Sequence, residues 1–411
     1  MGDRVIWVVY FFLCIISLVE VFSAASTLSY HSGSFWDPLI KQALFLTAGT
    51  VVVLVIHKIP CRMFKAFPIF LYPASIALLL ITIVSGAMTN AARRWYDFYG
   101  IQFQPSELAK GALVITVALI LSQMQREEGA DRRAFKLILI ATVPVCLLIF
   151  TENLSTACLL FGVIVLMMFI GRVPLVQLGK LFGVLFLGTA LIIGAYFALG
   201  SDSSVAKSIG LHRLDTWVSR IESHSEETET DPAKFDIDAK AQEAHANIAI
   251  ATSGGIGKMP GNSVERDFLS QAFSDFIYAI IIEEMGIAGA IVVAFLYIVL
   301  LFRAGRIASR CERNFPPLLA MGLTLLMVSQ AVLNMMVAVG LFPITGQPLP
   351  LISRGGTSTI INCVYIGMIL SVSRYARQID TPQNTRFDGP MDDVRHEDDK
   401  GARDYVPATA Q

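Results

Sequence analysis

Residues 275–302 read DFIYAIIIEEMGIAGAIVVAFLYIVLLF. Only Asp275, Glu283 and Glu284 in this run are ionisable, and all three fall among its first ten residues. A helix of about 20 apolar residues crosses a hydrocarbon core, so this run spans a membrane with turns to spare. Nine more windows of comparable character lie near residues 5–27, 37–57, 66–88, 106–124, 135–150, 154–171, 180–200, 317–340 and 358–374. The pattern predicts an all-α, polytopic transmembrane bundle of about ten helices. Only Thr151-Glu152-Asn153 separates the fifth window from the sixth, so that pair reads as a tight hairpin.

The composition agrees. The chain is 54% hydrophobic and 16% charged, where a soluble domain carries nearer 25% charge. Its net charge of −1 leaves no basic footprint for nucleic acid. Four of the six cysteines, Cys14, Cys146, Cys158 and Cys363, sit inside apolar runs, and none lies in the long polar loop, so no disulfide framework is implied. Arg4 and the apolar run ending near Ser23-Ala24-Ala25 have the outline of a secretory signal, but Val5 to Phe22 is long for one and reads as a retained first helix.

Basic residues set the orientation. Alternate loops carry Lys58, Arg62 and Lys65; Arg126, Arg132, Arg133 and Lys136; Arg172 and Lys180; Arg303, Arg306, Arg310 and Arg313; and Arg374 and Arg377, sixteen with Arg4. The opposite short loops hold Arg93, Arg94 and Arg354. Positive charge stays inside, so both termini are expected in the cytoplasm. Segments 89–105, 201–274 and 341–357 then face outward. In the long loop, Leu211, Leu214, Trp217, Val218 and Ile221 repeat at helical spacing, suited either to the membrane surface or to packing over the bundle. Residues 237–251 are helix-prone and end at Ser253-Gly254-Gly255. Residues 1–379 read as one membrane domain, and 380–411 as a disordered cytoplasmic tail.

Ionisable groups at membrane depth mark function. Arg93-Arg94-Trp95 is followed by Gln104-Pro105-Ser106-Glu107-Leu108-Ala109-Lys110, where Pro105 suits a first helical turn. Glu107 and Lys110 share a face. They either pin that helix end or, through Lys110 with Arg93 and Arg94, present positive charge to an anionic ligand. Ser274 or Asp275 suits a helix N-cap. Asp275 also suits a second role: at the outer interface, desolvation favours a raised pKa, and such a carboxylate can serve as a general base. At about 1.5 Å rise per residue, Glu283 lies about 12 Å deeper. The third outward segment, Pro343 to Ser358, holds three prolines and three glycines, cannot be helical before about Ser358, and has Arg354 as its cation. Such broken segments line cavities. Gly254 to Met259 lacks P-loop spacing, and six scattered histidines lack metal-ligand spacing.

Taken in order, Arg93-Arg94-Trp95, Gln104 to Lys110, Asp275-Phe276-Ile277-Tyr278-Ala279 with Glu283-Glu284-Met285-Gly286, and Pro343 to Gly346 through Ser353-Arg354-Gly355-Gly356-Thr357-Ser358 resemble the SEDS family, the FtsW/RodA/SpoVE membrane glycosyltransferases of peptidoglycan. The resemblance runs over roughly residues 5–375 and is closer to the division (FtsW-type) branch than to the elongation branch. Two departures stand out. Asn153 occupies a position where many members have Asp, and Gly257-Lys258-Met259 replaces a Gly-Lys-Gly.

The resemblance implies that lipid II, a disaccharide pentapeptide on undecaprenyl diphosphate, is polymerised at the outer face of the bacterial cytoplasmic membrane. It implies Asp275 as the catalytic residue. Arg93, Arg94, Trp95, Gln104, Ser106, Glu107, Lys110, Lys258, Glu283, Arg354 and Ser358 are the candidate substrate-binding residues. A class B penicillin-binding protein transpeptidase and other division proteins are the implied partners, together with membrane lipid. A divalent metal, magnesium or manganese, is a candidate cofactor. Two other readings stand beside the polymerase: a flippase moving the same lipid, and a non-catalytic division scaffold.

Overall fold

A computed structural model describes residues 2–24, 36–85, 87–89, 92–98, 101–127, 129–199, 241–269 and 272–380. Eleven α-helices occur among them: α1 (Arg4–Ala24), α2 (Asp37–Ile56), α3 (Phe67–Ser85), α4 (Pro105–Gln123), α5 (Arg132–Glu152), α6 (Leu154–Ile170), α7 (Leu175–Leu199), α8 (Ala241–Ser253), α9 (Ile277–Ala308), α10 (Phe315–Ala338) and α11 (Thr357–Asp380). All but α8 coincide with the ten apolar windows. Eight are long and apolar enough to cross a membrane, and α6 and α7 add two shorter apolar spans. The amphipathic pattern at 211–221 and the tail beyond residue 380 lie outside the described residues.

Helix starts follow local chemistry. Proline stands in the first turn of α2, α4 and α10, where its missing N–H has no intrahelical partner to lose. Asp131 caps α5 through its side chain. Asn153 ends α5 and caps α6, its side chain accepting from the Thr156 N–H, which makes the expected hairpin a single-residue hinge.

The core is built from the most enclosed helices, α4, α10 and α11. Ala109, Leu113, Val117 and Leu121 of α4 are fully buried, as are Leu319, Leu323, Met327 and Ala331 of α10, and Ile369 and Val372 of α11. The perimeter is apolar in the opposite sense: Leu44, Phe70, Ile140, Phe186 and Phe302 are exposed on its surface. Apolar side chains turned outward suit a bundle whose solvent is lipid. Gly111 of α4 lets Tyr365 of α11 lie against the helix backbone; a Cβ there would meet the ring at 2.4–2.8 Å.

The all-α expectation needs one amendment. The segment between α3 and α4 forms a small antiparallel sheet, β1 (Ala87–Thr89), β2 (Ala92–Phe98) and β3 (Ile101–Phe103). Its register places Met88 opposite Arg93, and Tyr96 opposite Phe103. A ladder satisfies backbone N–H and C=O groups that would otherwise be bare beside lipid. A second, two-stranded ladder, β4 (Gln125–Arg126) and β5 (Gly129–Ala130), links α4 to α5.

Candidate active site

Three chain segments distant in sequence meet where α4, α9 and α11 begin. On α4, Lys110 Nζ donates to Glu107 Oε1 at 2.8 Å and to Gln330 Oε1 of α10 at 2.8 Å. Lys110 is 0% exposed and Glu107 1%. The predicted i,i+3 pair therefore exists, but it lies inside the bundle, so Lys110 is no surface cation here. A lysine charge so enclosed needs its partner: removing one member of a buried pair costs about 3–5 kcal/mol. Gln104 and Ser106 are also buried, and Gln104, at the N-cap position, makes no side-chain cap hydrogen bond.

Residues 343–356 are held in non-helical form by side chains from four helices. Asn153 Nδ2 donates to the Thr345 carbonyl at 3.2 Å, and Gln330 Nε2 donates to the Pro348 carbonyl at 3.1 Å. Asn334 Nδ2 donates to the Gln347 carbonyl at 2.7 Å, while the Gln347 side chain donates to Thr156 Oγ1. Tyr297 OH donates to the Pro350 carbonyl, and Ser17 Oγ to that of Ile352 at 2.7 Å. The carbonyls of Thr345, Gln347, Pro348, Pro350 and Ile352, which cannot join a helical ladder, thus each meet a side-chain donor. The segment becomes helical at Thr357, one residue before the expected Ser358, whose hydroxyl donates to the Gly355 carbonyl at 3.0 Å.

Asp275 faces this segment from a turn. Helix α9 begins at Ile277 with Phe276 at the N-cap position and no side-chain cap hydrogen bond. The structure therefore corrects the expected cap: neither Ser274 nor Asp275 caps the helix, and Asp275 stands off it. Ser274 Oγ donates to Asp275 Oδ1 at 3.0 Å. Ser353 Oγ donates to the Ser274 carbonyl at 2.6 Å, and the Arg354 N–H donates to that of Phe273 at 3.0 Å. The Arg354 guanidinium lies over the Phe273 ring, 5.4 Å from its centroid. Burial lowers the pKa of this guanidinium from its ordinary value. Asp275 and Arg354 are each half-buried, and the loop contacts bring their segments together.

The other acids of the region are sealed. Glu283 is 0% exposed; its carboxylate accepts from Lys258 Nζ at 2.7 Å, from Ser263 Oγ and from the Val264 N–H at 3.1 Å. Glu284, also 0% exposed, accepts from Ser23 Oγ, and Arg266 stands 3.9 Å away. The α9 backbone leaves helical geometry at Gly286 (φ 69°, ψ −172°). There the N–H groups of Lys258 and Met259 reach the Glu283 and Glu284 carbonyls at 2.9 and 2.8 Å. Gly257 lies so close that a Cβ would meet the Glu284 carbonyl oxygen at 2.3 Å. Lys258 and Glu283 thus form a tie between loop and helix.

The structure gathers Gln104, Ser106, Glu107, Lys110, Asp275, Arg354 and Ser358 at one end of the bundle. Arg93, Arg94 and Trp95 lie on β2 in the sheet that precedes α4, and their side chains are outside the described set. Ser353 stood in the sequence only as part of a motif, and Gln330, Asn334 and Glu20 of α1 went unnoticed; Glu20 is buried with neither carboxylate oxygen hydrogen-bonded among the described residues. Membrane-embedded amides and acids are the signal that could have found them. Among the described residues, no three His, Cys, Asp or Glu side chains are grouped as metal ligands. Chemically, among the described residues, the arrangement offers a partly exposed carboxylate, Asp275, and a partly exposed cation, Arg354, on segments held together by backbone hydrogen bonds.

Comparison with known proteins identifies the family and the fold. The profile of the FtsW/RodA/SpoVE family, described as cell cycle proteins, matches residues 3–378. The chain is similar to the probable peptidoglycan glycosyltransferase FtsW of Halomonas elongata, 31% identical over 388 residues, 91% of this chain and 91% of that protein. It is similar also to the peptidoglycan glycosyltransferase MrdB of Escherichia coli, 29% identical over 81% of this chain and 85% of that one. Among solved structures, a chain of a peptidoglycan synthase complex that coordinates polymerization and crosslinking superposes with a TM-score of 0.71 at 25% identity, covering 92% of this chain and 99% of that one. The rod shape determining protein RodA of Thermus thermophilus shares the fold, with a TM-score of 0.63 at 23% identity over 91% of this chain and 97% of that one.

Proposed function

The chain belongs to the FtsW/RodA/SpoVE family of multi-pass inner-membrane proteins, and on that premise we propose that it is a division-type peptidoglycan glycosyltransferase whose general base is Asp275. It polymerises lipid II, the disaccharide pentapeptide carried on undecaprenyl diphosphate, at the outer face of the membrane. The 4-hydroxyl of the acceptor GlcNAc gives its proton to the Asp275 carboxylate. Its oxygen then bonds to the donor's anomeric carbon as the bond to the diphosphate breaks, with inversion. The electron pair leaves on the lipid diphosphate, so no nucleotide is needed outside the cell.

One observation supports the base assignment above the rest. Of the four acids the motifs supply, Glu107, Glu283 and Glu284 are buried and ion-paired, while Asp275 is partly exposed. A general base must reach its substrate. Arg354, on the segment bound to Phe273 and Ser274, supplies positive charge for the departing diphosphate, with Arg93 and Arg94 of β2 as further candidates. Were a divalent metal bound, it would supply further positive charge for the diphosphate; among the described residues no three His, Cys, Asp or Glu side chains form a ligand set for it. The transpeptidase partner is a class B penicillin-binding protein, in keeping with the synthase complex to which this chain is similar.

The test is polymerisation of purified lipid II by the full-length chain in the presence of its transpeptidase. Asp275→Ala should purify as a monodisperse, folded protein and give no glycan ladder on a gel. A ladder of wild-type intensity from that variant would end the base assignment.

A further inference from the structure

Asp275 carries the chemistry in this reading, yet helix α9 does not hold it. The first ladder hydrogen bonds of α9 run from the Ala279 and Ile280 N–H groups to the Phe276 carbonyl, at 2.9 and 3.3 Å. The Asp275 carbonyl lies one residue outside that ladder. What meets it is Asn334 Nδ2 of α10, donating at 2.8 Å. The same nitrogen donates to the Gln347 carbonyl at 2.7 Å. A carboxamide nitrogen has two protons, and here each goes to a backbone carbonyl, one on the Asp275 turn and one on the broken segment that carries Arg354. Asn334 is 1% exposed, so water does not compete for those protons. One turn away on the same helix face, Gln330 binds Lys110 through Oε1 and the Pro348 carbonyl through Nε2. Residues four apart share a face, so the two amides of α10 form a single brace.

We infer that Asn334 is the positioning residue of the active site: by clamping the Asp275 and Gln347 carbonyls with one amide, it fixes the base against the segment that bears Arg354. This inference rests on Asp275 being the base, and it acts through backbone, not through contact with substrate. Misplacing a reactive group by about 1 Å can cost on the order of 10²-fold in rate. A clamp of this kind therefore controls turnover more than lipid II capture, which depends on the cations and the bundle surface.

The experiment is steady-state polymerisation of lipid II by the full-length chain with its transpeptidase partner, comparing Asn334→Asp and Asn334→Gln with wild type. Asn334→Asp keeps the shape but loses both donated protons; its kcat should fall about 10- to 100-fold while KM for lipid II moves less than about twofold. Asn334→Gln retains an amide donor and should recover part of the lost kcat, which also keeps the test alive if the Asp variant does not fold. A purely structural role predicts instead a lower melting temperature with wild-type kcat per folded molecule. That result overturns the assignment, as does a loss confined to KM. Asp275→Asn, run in parallel, probes the base itself: full activity there would remove the underlying reading whatever Asn334 does.

Discussion

At the scale of single residues, the motifs and the geometry divide the charged groups into two kinds. Ionisable side chains at the edge of an apolar run are conspicuous, so Asp275, Glu107, Lys110 and Arg354 were legible in the sequence. What each one touches was not. Lys110, read either as pinning its helix end or as facing a ligand, is enclosed by Glu107 and Gln330. Glu107→Gln should leave that ammonium without a counter-charge and lower the melting temperature in detergent, by a few kcal/mol of stability. Glu107→Gln combined with Lys110→Met, which removes both charges, should regain most of the loss. A double variant as unstable as the single one would show that the pair does not act as a unit. Asn153 illustrates the opposite case. Its carboxamide caps α6 at Thr156 with the oxygen and donates to the Thr345 carbonyl with the nitrogen, a double role an aspartate could not fill. In this chain the position therefore works as a hydrogen-bonding hinge. Asn334 and Gln330 escaped notice because a lone amide in an apolar helix has no spacing signature, and its partners are backbone carbonyls far along the chain.

At the scale of elements, helix positions were readable to within a few residues because apolar length alone decides them. The segment at 343–356 was readable as broken because proline and glycine forbid the alternative. The sheet at 87–103 was not, since its strands are three to seven residues long and the longest contains two arginines. It arises from backbone satisfaction at the bundle's end, not from a period-2 apolar pattern. The most consequential element is the joint between residues 255–267 and α9. Gly286 has φ 69°, and a Cβ on it would meet the Gly255 carbonyl oxygen at 2.4 Å. Gly286→Ala should therefore push the loop away from the helix. The expected signs are faster cleavage between residues 255 and 267 in limited proteolysis and a lower melting temperature. Protection equal to wild type would show that the joint tolerates a side chain.

At the scale of the molecule, the charge asymmetry of the loops predicts that the Asp275 end lies outside the cell, which a labelling experiment can check. In a cysteine-free background, a cysteine replacing Asn262 should react with a membrane-impermeant maleimide in intact spheroplasts, whereas one replacing Arg310 should react only after permeabilisation. The reverse pattern would put the proposed base in the cytoplasm, where lipid II polymerisation has no product to extend. The bundle's centre, α4, α10 and α11, is also the part that touches every element of the site. The apolar perimeter helices α2, α3 and α7 contribute little to it; Gln42 of α2 donates to Ser17 of α1 at 2.8 Å.

The joint at Gly286 also imposes an order on biosynthesis. Residues 258 and 259 supply the amides that meet the Glu283 and Glu284 carbonyls, and they leave the ribosome about 25 residues before those carbonyls do. With the Asp275 end outward, as the loop charges predict, those donors would cross the bilayer before α9 enters the translocon, and the helix would be released into lipid with no bare carbonyl. A rearranged gene encoding residues 241–269 after α9 would deliver them too late, and its product should be cleared by membrane proteases instead of accumulating.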